Sequence, residues 1–62
     1  QYVVELSDYN LSLSFWKSDF SGRWWVDIPV DENETLFLPC SYMDYKMACN
    51  NEMPKRIMNE LD

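Results

Sequence analysis

The stretch LSLSFWKSDFSGRWWVDIPV, residues 11–30, decides the fold of this 62-residue chain. It holds all three tryptophans and the only glycine of the sequence. Two runs in which apolar and polar residues alternate flank a short polar break, a pattern typical of a β-hairpin. We therefore predict two antiparallel strands, over about residues 11–17 and 23–30.

The register of this hairpin follows from the positions of its apolar residues. They have odd numbers in the first strand and even numbers in the second, so both sets share one face only when odd residues pair with even ones. We predict that Phe15 lies opposite Trp24. Residues 18–21 then form the loop, and Gly22 takes a positive φ, which glycine adopts without a steric penalty.

Alternating runs on either side of the hairpin predict two more strands, over about residues 2–6 and 34–38. Ser, Asp and Asn residues precede residue 11 and form turns readily, and an acidic loop at residues 31–33 precedes the last strand. Strands joined by loops this short pair antiparallel with their neighbours in sequence. The predicted pairs outside the hairpin are Tyr2–Phe15, Val4–Leu13, Leu6–Leu11, Ile28–Leu36, Val26–Leu38 and Trp24–Cys40.

Two short helices are predicted after the strands, over about residues 42–49 and 52–61. Ser41 is a favourable N-cap for the first helix, and Asp44 places a carboxylate in its first turn. Asn51 follows the first helix and can cap the second. The side chains predicted to face the sheet from these helices are Tyr45, Ala48, Cys49, Pro54, Ile57, Met58 and Leu61.

The predicted fold class is therefore α+β: a four-stranded antiparallel meander followed by one or two short C-terminal helices packed on one sheet face. Residues 1–62 are expected to make a single small domain. Its stability is expected to be marginal, since a chain of this length buries only about 60% of its unfolded surface. Helices on one face leave the other face of the sheet open.

Composition argues against several classes of function. The net charge of −6 and the pI near 4.3 argue against direct contact with nucleic acid, whose affinity comes largely from Lys and Arg on phosphates. They argue equally against an anionic membrane surface. The absence of histidine and the presence of only two cysteines argue against a structural zinc site. We expect no cofactor and no metal.

The two cysteines are predicted to be free thiols. If residues 42–49 are helical, Cys49 lies about 12 Å along the axis from Cys40, beyond the roughly 4.4–6.8 Å between Cα atoms that a disulfide requires. Free thiols favour a cytoplasmic location. The alternative is a secreted, glycosylated protein, because Asn10 and Asn33 each begin an Asn-X-Ser/Thr sequence at a predicted turn.

Catalysis is poorly supported by the residues present. Without histidine, a general base would have to be a carboxylate or a lysine, and Asp27 on the open face stands alone. The acidic run at residues 31–34 lies in a turn and lacks the spacing and glycine of a calcium loop. We therefore predict a protein that is not an enzyme.

The candidate site is the open sheet face, where Trp16 and Trp25 are predicted to lie together. One explanation for the pair is that a terminal segment, a second copy of the chain or neighbouring aliphatic side chains cover it. The other is a binding site, since tryptophan is enriched at interface centres. With Asp27, Glu32 and Glu34 as an acidic rim, these residues form the predicted partner-binding set.

The order of elements over about residues 9–50, with the SGRWWV step at residues 21–26, resembles that of small DNA-binding domains that read DNA with a sheet, such as the arm-binding domain of phage integrases. The resemblance implies a meander followed by a helix. Those domains use basic sheet residues, whereas the predicted sheet of this chain carries Lys17 and Arg23 together with several acidic residues. Shared architecture does not transfer function.

Three functions remain after this comparison. The leading hypothesis is a small acidic inhibitor or adaptor that docks on a basic, nucleic-acid-binding surface of another protein, as small viral or mobile-element proteins do. The alternative is a structural or homo-oligomerising module of a larger protein, its open face buried in a homodimer. The third is a nucleic-acid-binding sheet domain.

Overall fold

The computed structural model describes residues 1–61 as a four-stranded antiparallel sheet followed by two helices. The strands lie in the sequence order β1-β2-β3-β4, so each pairs with its neighbour along the chain. This confirms the predicted α+β meander. The elements are β1 (Tyr2–Leu6), β2 (Leu11–Lys17), β3 (Trp24–Pro29), β4 (Thr35–Cys40), α1 (Tyr42–Cys49) and α2 (Lys55–Leu61).

The turn between β1 and β2 consists of one 3₁₀ turn, Ser7–Tyr9, and Asn10 in the left-handed conformation at φ 52°. Asn10 donates its backbone N–H to the Ser7 carbonyl at 3.2 Å. Asparagine tolerates this backbone region better than most residues, so the turn closes with little strain. All predicted pairs outside the central hairpin are confirmed.

The predicted register of the central hairpin is wrong by two residues. Phe15 lies opposite Val26 rather than Trp24, and Trp24 lies opposite Lys17. A slip of two residues leaves every side chain on its predicted face, because the side chains of a strand alternate with a period of two. The alternation of apolar residues therefore cannot distinguish the two registers.

The β2–β3 loop sets the observed register. It spans residues 18–23, two residues longer than predicted, so that β3 begins at Trp24. The Gly22 N–H donates to the Ser18 carbonyl at 2.7 Å, and the Ser18 Oγ accepts from the Ser21 N–H at 3.2 Å. Gly22 has φ 73°, which confirms its predicted positive φ. These internal hydrogen bonds stabilise the longer loop.

Strand β4 runs from Thr35 to Cys40, two residues further than predicted. Pro39 lies inside this strand, opposite Trp25, instead of at its end. Proline is tolerated here because β4 is an edge strand, on which one row of backbone N–H groups has no strand partner.

Helix α1 has the predicted bounds and a complete capping box. The Ser41 Oγ accepts from the Asp44 N–H at 3.3 Å, and the Asp44 Oδ2 accepts from the Ser41 N–H at 2.9 Å. Ala48 is buried, whereas Cys49 is exposed, so the prediction that Cys49 faces the sheet is wrong. Tyr45 and Ala48 are the residues of α1 that pack in or against the core, and Cys49 is not among them.

Helix α2 begins at Lys55, three residues later than predicted. The Pro54 carbonyl accepts its first hydrogen bonds, and proline disfavours helical dihedrals in the residue that precedes it. Asn51, the predicted cap, takes φ 61° and donates its side-chain amide to the Asp8 carboxylate at 2.9 Å instead. Leu61, predicted to face the sheet, is exposed.

The core lies between one sheet face and the helices. Seven hydrophobic side chains are buried there: Leu6, Leu13, Phe15, Val26, Ile28, Ala48 and Ile57. Tyr45 extends this core toward the end of the sheet, with its ring 5.5 Å from that of Phe15 and stacked at 5.4 Å on that of Trp24. Both helices therefore cover the same face, as predicted.

Arg56 joins both helices to the edge of the sheet. Its Nη1 donates to the Pro39 carbonyl at 3.2 Å, and its Nε lies 3.5 Å from the Asp44 Oδ2. The guanidinium side chain is 51% exposed, so solvent screens most of this attraction. The hydrogen bond and ion pair of Arg56 therefore contribute more to the orientation of α2 than to the free energy of folding.

Candidate functional site

The sheet face opposite the helices carries no buried side chain among the residues of its strands. We call this surface the open face. The residues that point to it by strand alternation are Val3, Glu5, Ser12, Ser14, Trp16, Trp25, Asp27, Pro29, Thr35, Phe37 and Pro39.

Trp16 and Trp25 lie directly opposite each other in the ladder between β2 and β3. Each of the two rings contacts a residue that lies diagonal to it on the neighbouring strand, a distance that long side chains can span. The Trp25 ring stacks parallel on that of Phe37 with centroids 5.0 Å apart. The Trp16 Nε1–H donates to the Asp27 Oδ2 at 3.1 Å. The structure therefore brings the predicted residues Trp16, Trp25 and Asp27 together.

Phe37 belongs to this site and was missed by the sequence prediction. Its side chain is 56% exposed, more than the 38% of Trp16. The signal was present: once Leu36 and Leu38 face the core, the residue between them must point to the open face. We call Trp16, Trp25 and Phe37 the aromatic strip.

The open face is acidic within its strands. Glu5 and Asp27 contribute carboxylates, and none of its strand positions carries Lys or Arg. Lys17, which follows Trp16, points to the opposite face by strand alternation, and Arg23 lies in the β2–β3 loop two residues before Trp25. Within residues 1–61, the Asp27 carboxylate has no ion-pair partner. An aromatic strip beside an unpaired carboxylate is suited to a cationic ligand.

Glu32 and Glu34, the other predicted site residues, do not join this group. Both are exposed in the β3–β4 loop, at the opposite end of β3 from Trp25. The loop is ordered by the Asp31 Oδ1, which accepts from the Asn33 N–H at 2.7 Å. These glutamates can contribute a negative field at the edge of the open face, but they do not contact its tryptophans.

Phe20 is a second exposed aromatic residue that the sequence prediction missed. It is fully exposed near the tip of the β2–β3 loop, which adjoins the end of the sheet that carries the tryptophan pair. A phenylalanine within the polar run KSDFSG was the available signal. Its position extends the apolar surface beyond the sheet.

The chemistry of the remaining residues is limited. Burial, followed by the Asp44 carboxylate, raises the pKa of the Cys40 thiol from 9.0 to about 11, while Arg56 opposes the shift. Across residues 1–61, no group of three or more His, Cys, Asp or Glu side chains is placed to hold a metal ion. Neither helix described in that range has the length and apolarity to span a membrane.

Comparisons of the chain with protein-family models, with curated proteins and with solved structures find no match. The resemblance to sheet-reading DNA-binding domains therefore stays one of element order.

Proposed function

We propose that this chain is a small acidic binding protein without catalytic activity, an inhibitor or adaptor that docks its open face on a basic surface of another protein. The observation that carries the proposal is the aromatic strip, in which Trp16 and Phe37 are exposed and Trp25 is half-buried, beside an unpaired carboxylate on a face without basic strand residues. A nucleic-acid-binding surface is the kind of basic patch that such a face complements.

The aromatic strip has the features of an interface centre. Tryptophan is enriched among the residues that dominate binding energy, and such anchors sit at the middle of an interface within a polar rim. Trp25 is held in place by its stack on Phe37, so little rotamer freedom is lost when a partner covers it. Ser12, Ser14 and Thr35 supply polar groups around the strip.

Two observations favour binding over catalysis. A concavity of about 190 Å³ lined by Glu5, Ser7 and Asn10 is smaller than the roughly 300–1,000 Å³ of most ligand pockets. The raised pKa of Cys40 keeps that thiol protonated at neutral pH, which disfavours its use as a nucleophile.

The test begins with capture of the partner from the native host and its purification, followed by affinity measurement with variants. Trp25→Ala should weaken binding about thirtyfold or more, because truncating a central aromatic anchor costs at least ~2 kcal/mol. The loss should be the same at low and high salt. Tyr9→Ala is the matched control, since Tyr9 is an exposed aromatic residue in the β1–β2 turn.

The acidic loop gives the complementary measurement. Neutralising Glu32 and Glu34 together should slow association at low salt and have little effect at high salt, because screening shortens the range of exposed charges. A partner that binds Trp25→Ala as well as the unchanged protein would contradict the proposal and move the interface to the helices or the acidic loop.

The alternative is a homodimer that buries the open face of two copies. Val3, Trp16 and Phe37 are exposed apolar residues, and an exposed apolar surface is often buried by a second protein chain. Burying two unpaired Asp27 carboxylates in one interface opposes this pairing. Sedimentation at micromolar concentration tests it: a dimer that Trp16→Ser converts to a monomer would replace the proposal, whereas a monomer leaves the face free for a foreign partner.

A further inference from the structure

We infer that the open face recognises an arginine side chain of the partner, with the guanidinium held by the Asp27 carboxylate against the aromatic strip. This inference rests on the proposed function and specifies the chemistry of the partner's contact.

Asp27 lies in the row between Ser14 on β2 and Phe37 on β4, so it occupies an inner strand of the sheet. The Trp16 Nε1–H is the one side-chain donor that its carboxylate accepts within residues 1–61. A carboxylate has about four lone-pair sites, so most of its capacity is open to a ligand. The indole also fixes the carboxylate in one orientation before any ligand arrives.

The rings of the aromatic strip flank this carboxylate, since Trp16 donates to it and Phe37 lies opposite Asp27 on β4. Trp25 and Phe37 are stacked with an interplanar angle of 0°, and Trp16 lies on the other side of Asp27's strand, on β2. A cation near the face of an aromatic ring is attracted by the ring's quadrupole, most strongly by that of tryptophan. Carboxylate and rings together define a site for a single positive charge.

Arginine fits this site better than lysine does. Its guanidinium is planar and weakly hydrated, so it can stack on the aromatic strip while its N–H fork binds a carboxylate. A lysine ammonium is compact and strongly hydrated, and it would have to lose that hydration without gaining a stacked surface. The open face therefore recognises the planar shape of the guanidinium group as well as its positive charge.

The probe is a pair of synthetic peptides, acetyl-(Gly-Arg)4-amide and acetyl-(Gly-Lys)4-amide, titrated into ¹⁵N-labelled protein. We expect the arginine peptide to shift the indole resonances of Trp16 and Trp25. It should bind at least about threefold more tightly than the lysine peptide, because the two peptides carry equal charge and only the guanidinium can stack on the rings while its N–H fork binds the Asp27 carboxylate.

Asp27→Asn should remove the preference for arginine while keeping the fold, since the amide oxygen can still accept from Trp16. Phe37→Leu is the second variant: it retains an apolar side chain but removes the stacked ring, and it should reduce the preference. Glu60→Gln is the matched control, because it removes the same charge from an exposed position on α2.

Three results would overturn the inference: equal affinity for the two peptides, an arginine preference that persists in Asp27→Asn, or shifts confined to the acidic loop. Its failure is distinguishable from that of the proposed function. If Trp25→Ala still weakens binding of the captured partner while the peptides bind equally, the docking face stands and the arginine contact is excluded. If Trp25→Ala also has no effect on binding of the captured partner, both the arginine inference and the proposed function are contradicted.

Discussion

Replacing Asp44 by alanine should destabilise the protein more than any other change to an exposed or half-buried acid. Its carboxylate accepts from the Ser41 N–H at 2.9 Å, lies in the first turn of α1, and pairs with Arg56 at 3.5 Å. One substitution therefore removes half of a capping box, a favourable charge at a helix N-terminus and an ion pair.

The magnitude follows from these three contributions. Loss of a cap costs about 1 kcal/mol, and loss of the charge near the helix N-terminus costs roughly 0.3–1 kcal/mol. The ion pair contributes little, on the order of 0–1 kcal/mol, because the Arg56 side chain is 51% exposed. The expected total is about 2 kcal/mol. For a domain of this size that corresponds to a fall in Tm of roughly 8–16 °C.

Thermal and urea unfolding followed by tryptophan fluorescence would measure this loss. Asp44→Asn, which keeps an acceptor oxygen but no charge, should fall between the parent and Asp44→Ala. Arg56→Met should cost less than about 1 kcal/mol. Asp19→Ala, an exposed loop acid, is the control. Equal destabilisation by Arg56→Met and Asp44→Ala would contradict this prediction, since the ion pair would then outweigh the cap.

Further predictions concern the thiols, the β2–β3 loop and the second helix. At pH 8 only about one part in a thousand of Cys40 should be thiolate in the folded protein, against about one part in ten in the unfolded protein. Iodoacetamide should therefore modify the exposed Cys49 before Cys40, and mass spectrometry would show the order. Because the pKa of Cys40 is raised on folding, its burial should also make the protein less stable as pH rises from about 9 to 11, which urea midpoints across that range would show. Gly22→Ala should cost roughly 1–2 kcal/mol through its positive φ, since no heavy atom lies within 4 Å of the added Cβ; a neutral result in urea unfolding would contradict this. Ile57→Ala should cost about 2–5 kcal/mol, a large share of the ~3–9 kcal/mol expected for a chain of this length, and circular dichroism should show lost helix.

Alternation of apolar residues was sufficient to predict the strands and their faces. The inner strands bury Leu13, Phe15, Val26 and Ile28 on one side, and this requirement determines which residues face outward. The same rule placed Trp16 and Trp25 together on the open face. Register within the hairpin could not be predicted, because a slip of two residues preserves every face and only the hydrogen bonds of the loop distinguish the alternatives.

The details that the sequence did not predict depend on contacts between residues distant along the chain. Asn51 was a plausible cap for α2, yet its side chain bonds Asp8. The stack of Trp25 on Phe37 and the bond from Trp16 to Asp27 depend on ring directions that strand alternation does not determine. The acidic loop was predicted correctly as a loop, but its distance from the tryptophans follows from strand length.

The order of the strands has a consequence for how the chain folds. Every pairing in the sheet joins consecutive strands, across loops of four, six and five residues. The entropy lost on closing such loops grows only with the logarithm of their length, and chains rich in local contacts fold quickly. We expect the sheet to assemble one hairpin at a time, on the order of milliseconds. The hydrogen bond from Asn51 to Asp8, which spans 43 positions, would then be among the last contacts to form.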